Sequence, residues 1–264
     1  MRIALGLEYD GSGFCGWQSQ SSGGGVQDHL QLAIQQVAGH AVVVHAAGRT
    51  DAGVHALSQV VNFDTSAQRP LSAWVRGVNA FLPAGVRVLW SRQVHTEFHA
   101  RFSARQRSYQ YLLINRPVAP AIWHGRAGWF HQPLDVTAMQ QAATLLLGTH
   151  DFSAFRASEC QARSPVKQLM LAEVRRSGSC IAFEFRAGAF LHHQVRNMVG
   201  ALVYIGKGKY PPGWMATLLA TRDRTQAPPT FAADGLYLTG VDYDPAWGLP
   251  PTQRSLADFA FPFG

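Results

Sequence analysis

The 264-residue sequence is poor in cysteine and lysine, and it has no long apolar run. Its three cysteines, Cys15, Cys160 and Cys180, form no close CxxC pair, which argues against a disulfide framework and against a zinc site. Apolar runs such as residues 41–44 fall far short of the roughly 20 residues that a membrane-spanning helix needs. The N-terminal residues alternate and then turn acidic, unlike a signal peptide. We therefore expect a soluble cytoplasmic protein without a membrane segment.

Charge of either sign is also sparse, at 15% of residues, whereas hydrophobic residues make up 47%. This composition supports a sizeable core and excludes wholesale disorder. The formal net charge is +7, and arginine carries most of the positive charge. Because the planar guanidinium suits phosphate groups, the charge is compatible with a nucleic-acid partner. An ordinarily basic protein explains the same charge equally well.

Hydrophobic periodicity predicts an alternating series of strands and helices in the first hundred residues. The predicted order is β-α-β-β-α-β, the split βαβ or ferredoxin-like pattern. The predicted elements are strands at 2–9, 41–46, 59–64 and 86–94, with helices near 26–37 and 71–81.

The same order is predicted again in the second half, so the sequence indicates an α+β fold of two ferredoxin-like halves related by a pseudo-repeat. The expected boundaries are 1–104 for the first half, 105–245 for the second and 246–264 for a C-terminal tail. Since this fold serves many functions, function has to be argued from sites. The predicted elements are a strand at 107–115, a helix capped by Asp135, a hairpin of 169–175 and 180–186, helices at 191–205 and near 214–219, and a closing strand at 236–243.

Residues 48–56, Gly-Arg-Thr-Asp-Ala-Gly-Val-His-Ala, gather several chemically active side chains between two predicted strands. The flanking glycines Gly48 and Gly53 allow positive φ angles and the close approach of a ligand. An aspartate between small residues is most often only a turn former. Here Asp51 lies in a segment of nine residues that also contains an arginine, a threonine and a histidine, which favours a functional site.

This segment resembles the catalytic motif of the tRNA pseudouridine synthase A family. Further blocks of the sequence resemble that family's motifs in the same order, from about residue 9 to residue 243, which is nearly the whole chain. These blocks are Tyr-Asp-Gly at 9–11 with Phe-Cys-Gly-Trp-Gln at 14–18, residues 98–104 with Tyr-Gln-Tyr at 109–111, residues 148–155, residues 190–200, Thr230, and Gly-Leu-Tyr-Leu at 235–238.

The resemblance implies two ferredoxin-like halves with an active-site cleft between them. It implies a homodimer that acts on the anticodon stem-loop of tRNA, at uridines 38, 39 and 40. The reaction detaches uracil from the ribose at N1 and rejoins it at C5. Because no redox change and no phosphate transfer occur, no cofactor and no metal are required.

The resemblance also assigns roles by position. Asp51 corresponds to the catalytic carboxylate, which acts by attack on the base, by attack on the sugar or by abstraction of a ribose proton. Tyr109 corresponds to an active-site tyrosine that stacks on the base or assists loss of the C5 proton, and a sheet tyrosine in the core is its alternative. Arg196 corresponds to a basic residue that pairs with Asp51, and a solvated helix face is its alternative.

Three further residues are candidates for RNA contact. Arg49 resembles a residue that fills the space left by the flipped uridine, with a simple phosphate contact as the alternative. His55 and His193 are expected either to contact RNA or to be buried and hydrogen-bonded. Ser108 lies opposite Tyr109 on its predicted strand, so it is expected to face RNA or solvent.

Three other functions compete with this interpretation. A non-catalytic tRNA-binding module would keep the basic surface without needing Asp51, Tyr109 and Arg196 together. A carboxylate-dependent glycosidase or nucleosidase usually needs two carboxylates about 5–10 Å apart, and the motif supplies only one. A pseudouridine synthase that acts on other RNA uridines would share the same pocket chemistry.

Overall fold

A computed structural model describes residues 1–20 and 23–259 and shows an α+β protein. The described chain contains five α-helices and divides into two compact units. The first unit comprises Met1–Gln106 and the described residues from Tyr237 onward, and the second comprises Arg107–Leu236. Within the described residues, no helix has the length and apolar character needed to cross a membrane.

The first unit has the element order β-α-β-β-α-β. Its elements are β1 (Arg2–Tyr9), α1 (Val26–Ala38), β2 (His45–Ala46), β3 (His55–Asp64), α2 (Leu71–Phe81) and β4 (Val86–Val94). Strand β1 pairs antiparallel with β3 on one side and with β4 on the other, and the short β2 pairs antiparallel with β3. Helix α2 packs against α1 and β4, and its buried Trp74 lies edge-on to Phe63 of β3 with ring centroids 5.3 Å apart.

The expected strand at 41–46 is wrong over most of its length, because only His45–Ala46 forms a strand. The N–H of Val44 donates to Oε1 of Gln31 at 3.1 Å, and its carbonyl accepts from Nε2 of Gln27 at 3.2 Å. Side chains of α1 thus bind the backbone groups that a strand ladder would use.

The second unit contains the remaining elements up to residue 236. They are β5 (Ala104–Asn115, in this unit from Arg107), β6 (Gly128–Phe130), α3 (Val136–Thr144), β7 (Gly148–Asp151), β8 (Val166–Ser177), β9 (Cys180–Ala187), α4 (Gln194–Gly206) and α5 (Trp214–Thr221). The sheet runs in the order β5-β9-β8-β7 with antiparallel neighbours, and β6 pairs parallel with β5. Helix α3 packs against β8 and α4. The predicted cap is confirmed, since Asp135 Oδ1 accepts the N–H of Ala138 at 3.0 Å.

The last strand, β10 (Leu236–Tyr243), belongs to the first unit from Tyr237 onward, although the sequence placed it in the second half. It pairs parallel with the start of β3 through Tyr237 and Leu238. The following chain stays with the same unit, because the N–H of Arg254 donates to the carbonyl of Thr239 at 2.8 Å. The observed division thus differs from boundaries at 104 and 245, and residues 260–264 of the expected tail lie outside the described residues.

Packing in the first unit is tested by Trp74→Ala. The indole is fully buried, so its removal leaves a cavity that is expected to lower the free energy of unfolding by about 3–5 kcal/mol. Phe81→Ala on the same helix is the matched control. Because Phe81 is 57% exposed, it is expected to change the free energy by less than about 0.5 kcal/mol. Urea unfolding followed by circular dichroism measures both, and equal losses would contradict this packing.

Candidate active site

Arg49 and Asp51 lie in the loop that joins β2 to β3 in the first unit. Arg49 is exposed and Asp51 is partly buried, whereas Thr50 between them is only 7% exposed. The loop then turns at Gly53, which has a φ of 79°, and the N–H of Val54 donates to the Asp51 carbonyl at 3.1 Å. The loop therefore buries the threonine and leaves the flanking guanidinium and carboxylate more accessible.

Three hydrogen bonds to neighbouring segments hold the loop in place. The hydroxyls of Thr50 and Tyr9 are hydrogen-bonded at 2.9 Å, and the Thr50 carbonyl accepts the N–H of Trp17 at 2.9 Å. The carbonyl of Gly48 accepts from Nε2 of Gln59 at 2.8 Å. Burial raises the pKa of Tyr9 to about 12, so its hydroxyl stays protonated at neutral pH. Asp51 is thus flanked on both sides by fixed backbone.

Two glycines after β1 allow the chain to pass close to this loop. A Cβ at Gly11 would lie 2.0 Å from the carbonyl oxygen of Val54. Gly16 has a φ of 89°, and a Cβ there would lie 2.8 Å from the carbonyl oxygen of Thr50. The motif at residues 9–18 includes both glycines, but the sequence alone indicated no role for them. Their role in the structure is to let two loop backbones touch.

His55 begins β3 and is only 2% exposed. Its Nδ1 accepts the N–H of Gly11 at 2.9 Å, and its ring stacks on that of Tyr237 with centroids 4.5 Å apart. The same Nδ1 lies 3.3 Å from Oδ1 of Asp10. These contacts favour the buried, hydrogen-bonded alternative for His55, in which it supports the loop.

In the second unit, Tyr109 lies on β5 and is 9% exposed. Its ring meets that of Phe190 edge to face, with centroids 5.2 Å apart. The neighbouring Ser108 is fully buried, and its hydroxyl accepts from Nε of Arg186 on β9 at 3.3 Å. The expectation that Ser108 faces RNA or solvent is therefore wrong.

Helix α4 begins at Gln194, three residues later than expected, because His193 has a left-handed backbone with φ of 61°. Such a conformation costs a non-glycine residue about 1–3 kcal/mol and has to be held by its surroundings. Here Oε1 of Gln194 accepts the N–H of Leu191 at 2.8 Å. The imidazole of His193 packs on that of His192 with centroids 4.0 Å apart.

Arg196 lies in the first turn of α4 and is partly buried. Its Nε donates to the carbonyl of Phe231 at 2.9 Å, and its own carbonyl accepts the N–H of Phe231 at 3.3 Å. The loop that provides Phe231 is fixed in turn through Asn197, whose Oδ1 accepts from Thr230 at 2.7 Å and from Arg224 at 3.2 Å. The guanidinium of Arg196 therefore binds a loop that is itself held by hydrogen bonds to Asn197 of α4.

The candidate residues thus form one group in each unit. Arg49 and Asp51 share a clamped loop in the first unit. In the second, His193 and Arg196 share the start of α4, and Tyr109 contacts the same segment through Phe190. The first group offers a carboxylate as nucleophile or base. The second offers a fixed cation and a phenol.

Comparison with known proteins places the chain among RNA-modifying enzymes. The model of a family described as tRNA pseudouridine synthase matches residues 7–103 and 142–244. The chain is similar to tRNA pseudouridine synthase A of Methylobacillus flagellatus, at 68% identity over 97% of this chain and 98% of that protein. It is also similar to tRNA pseudouridine synthase A of Dechloromonas aromatica, at 60% identity over 98% of each chain.

Among solved structures, a chain in the crystal structure of a Cbf5-Nop10-Gar1 complex has a TM-score of 0.37 and 11% identity to this chain. The similarity covers 89% of this chain and 48% of that one, so this chain spans about half the length of that protein. A resemblance this distant supports no statement about function.

The close passage at Gly16 is tested by Gly16→Ala. A Cβ there meets the loop backbone and forces a left-handed alanine, so we expect a loss of at least about 1–2 kcal/mol in unfolding free energy. Gly13→Ala is the matched control, because nothing lies within 4 Å of its Cβ and its φ is not positive. Chemical denaturation compares the two proteins. A Gly16 variant as stable as the Gly13 variant would show that the close passage is not needed.

Proposed function

The chain belongs to the tRNA pseudouridine synthase family, and we propose that it isomerises uridine to pseudouridine in the anticodon stem-loop of tRNA, at positions 38, 39 and 40, by catalysis at Asp51. As a family member it is an isomerase that acts on tRNA. The observation that carries the catalytic assignment is the clamped loop, which fixes backbone on both sides of one accessible carboxylate.

The reaction breaks the bond between N1 of uracil and C1′ of ribose and forms a bond between C5 and C1′. The base has to rotate between these steps while it stays bound. N1 gains a proton and C5 loses one, so the product has the composition of the substrate. The protein therefore has to supply a group that promotes bond cleavage, a surface that retains the detached base, and an acceptor for the C5 proton.

We assign the first task to Asp51. A carboxylate can attack C6 of the base, attack C1′ of the sugar, or remove a proton from the ribose. All three routes need the carboxylate ionised and held in one place. The buried Thr50 and the hydrogen bond from Val54 to the Asp51 carbonyl hold its backbone, which meets the second need.

We assign the remaining tasks to residues of the second unit. Arg196 pairs with the Asp51 carboxylate, which keeps it ionised and oriented. Tyr109 stacks on the target base and assists the loss of its C5 proton. The support for Arg196 is its hydrogen bond to Phe231, and the support for Tyr109 is its edge-to-face contact with Phe190.

We further propose that Arg49 and His193 contact the RNA around the target. A base inside a stacked stem has to be flipped out before it can react. The exposed guanidinium of Arg49, two residues from Asp51, suits the gap that the flipped base leaves. His193 is partly buried in a strained turn, a setting typical of residues positioned for a ligand.

Asp51→Asn tests the catalytic assignment. The change is nearly isosteric but removes the nucleophile or base, so pseudouridine formation is expected to fall by at least about a thousandfold. Affinity for tRNA is expected to stay largely intact. The activity is measured as tritium release from tRNA labelled at C5 of uridine. Glu97→Gln is the control, because it removes a carboxylate charge from a side chain that is 81% exposed.

The same assay tests the position of the target. Release from an unmodified anticodon-arm substrate is expected to stop when uridines 38, 39 and 40 are all replaced by cytidine. Continued release would support the alternative that other RNA uridines are modified. No release by the wild-type protein from any tRNA would reject catalysis and leave the tRNA-binding module as the explanation.

We also propose that the protein acts as a homodimer, as the sequence resemblance implies, and in the cytoplasm, as the composition led us to expect. Sedimentation velocity is expected to give about twice the chain mass of 28.9 kDa at micromolar concentration. A single species at the monomer mass over the whole concentration range would reject the dimer. Catalysis at Asp51 would remain open to the separate test above.

A further inference from the structure

The chain that leaves α4 makes a tight turn that carries two of the few lysines in the sequence. We call it the lysine–aromatic turn and define it by Tyr204, Lys207, Lys209, Tyr210 and Trp214. Gly208 between the lysines has a φ of 78°, which reverses the chain. Lys209 is exposed, and the other four defining residues are partly buried.

The two ammonium groups converge on one aromatic ring. Nζ of Lys207 lies 3.8 Å from the centroid of Tyr204, and Nζ of Lys209 lies 5.0 Å from the same centroid. Lys209 is also 5.4 Å from the ring of Tyr210, which stacks on Trp214 with centroids 3.9 Å apart and planes 10° from parallel. The rings thus orient the cations without neutralising them.

Within the described part of the chain, neither ammonium forms an ion pair with a carboxylate. Two like charges near one ring repel each other, so the arrangement becomes more favourable when an anion binds. Favourable interaction with the carbonyl end of α4 accounts for one cation at Lys207. It does not account for Lys209, which lies beyond the last turn, or for the stacked aromatic pair.

The remaining lysine shows what a lysine with a structural role looks like here. Nζ of Lys167 donates to the carbonyls of Ser164 at 2.7 Å and Val166 at 3.1 Å. Its charge is thus used within its own loop. The contrast separates the lysine–aromatic turn from ordinary surface charge.

We propose that the lysine–aromatic turn binds the phosphodiester backbone of tRNA, with the Tyr210–Trp214 stack as a platform for a neighbouring ribose or base. Paired cations beside aromatic faces are the combination that suits RNA, because phosphates and bases are engaged together. The inference takes tRNA as the substrate from the family and places a second contact outside the proposed catalytic residues. By helical rise, Lys207 lies about 16 Å along α4 from Arg196, so the turn would bind nucleotides other than the reacting one.

The test is the salt dependence of tRNA binding by the double variant Lys207→Gln, Lys209→Gln. Loss of two phosphate contacts is expected to reduce the slope of log Kd against log salt by about 1–2 and to weaken binding about tenfold at low salt. Tritium release at saturating tRNA is expected to stay at the wild-type kcat, because neither lysine takes part in the chemistry.

Two matched variants complete the experiment. Lys167→Gln removes one lysine charge elsewhere and is expected to keep the wild-type slope. Replacing Lys207 and Lys209 by arginine keeps the charge and the cation–π contacts, so it is expected to restore binding. A wild-type slope and affinity for the double glutamine variant would overturn the proposal. Binding is measured without turnover, so its result can be interpreted even if the proposed catalysis at Asp51 is rejected.

Discussion

The hydrogen bond between the buried hydroxyls of Tyr9 and Thr50 is the contact on which the site of the first unit depends. It joins the end of β1 to the loop before β3, two segments that are 41 residues apart. Breaking it would leave a buried polar group unsatisfied, a penalty of about 1–3 kcal/mol that keeps the loop closed. The loop around Asp51 is thus held through the neighbours of Asp51, and the Asp51 side chain is only partly buried.

The same reliance on contacts between distant segments explains why the fold was predicted better than the site. Strands β1 and β4 have the predicted bounds, because each is long and clearly periodic. The segment at 41–44 has the composition of a strand, yet Gln27 and Gln31 bind Val44 through contacts that no local pattern encodes. Likewise the start of α4 depends on the left-handed backbone of His193, which helical periodicity does not indicate.

For the site, the motif identified the candidate side chains, and it could not identify what holds them in place. Gln59 binds the carbonyl of Gly48, and Gly11 and Gly16 pass close to the carbonyls of Val54 and Thr50, so these backbone contacts have no side-chain signature in the sequence. For Ser108, the sequence predicted the direction of the side chain correctly but not its burial. Strand alternation correctly turned it away from Tyr109, but burial of both faces of β5 placed it against Arg186 and away from solvent.

Helix α4 follows the strained backbone of His193 and ends at the lysine–aromatic turn. This difference between its two ends fits an enzyme that modifies RNA, which has to position the reacting base and also hold the RNA backbone. The first turn of the helix is fixed by Phe231 and the Asn197 contacts, which suits the role proposed for Arg196, because chemistry on a base tolerates little displacement of the groups involved. Its far end carries two ammonium groups beside aromatic rings on a glycine turn, and the proposed partner, the phosphate backbone, needs charge more than exact placement. Under the two proposals, helix α4 sets the distance between the group that acts on the target base and the cations that hold the RNA backbone.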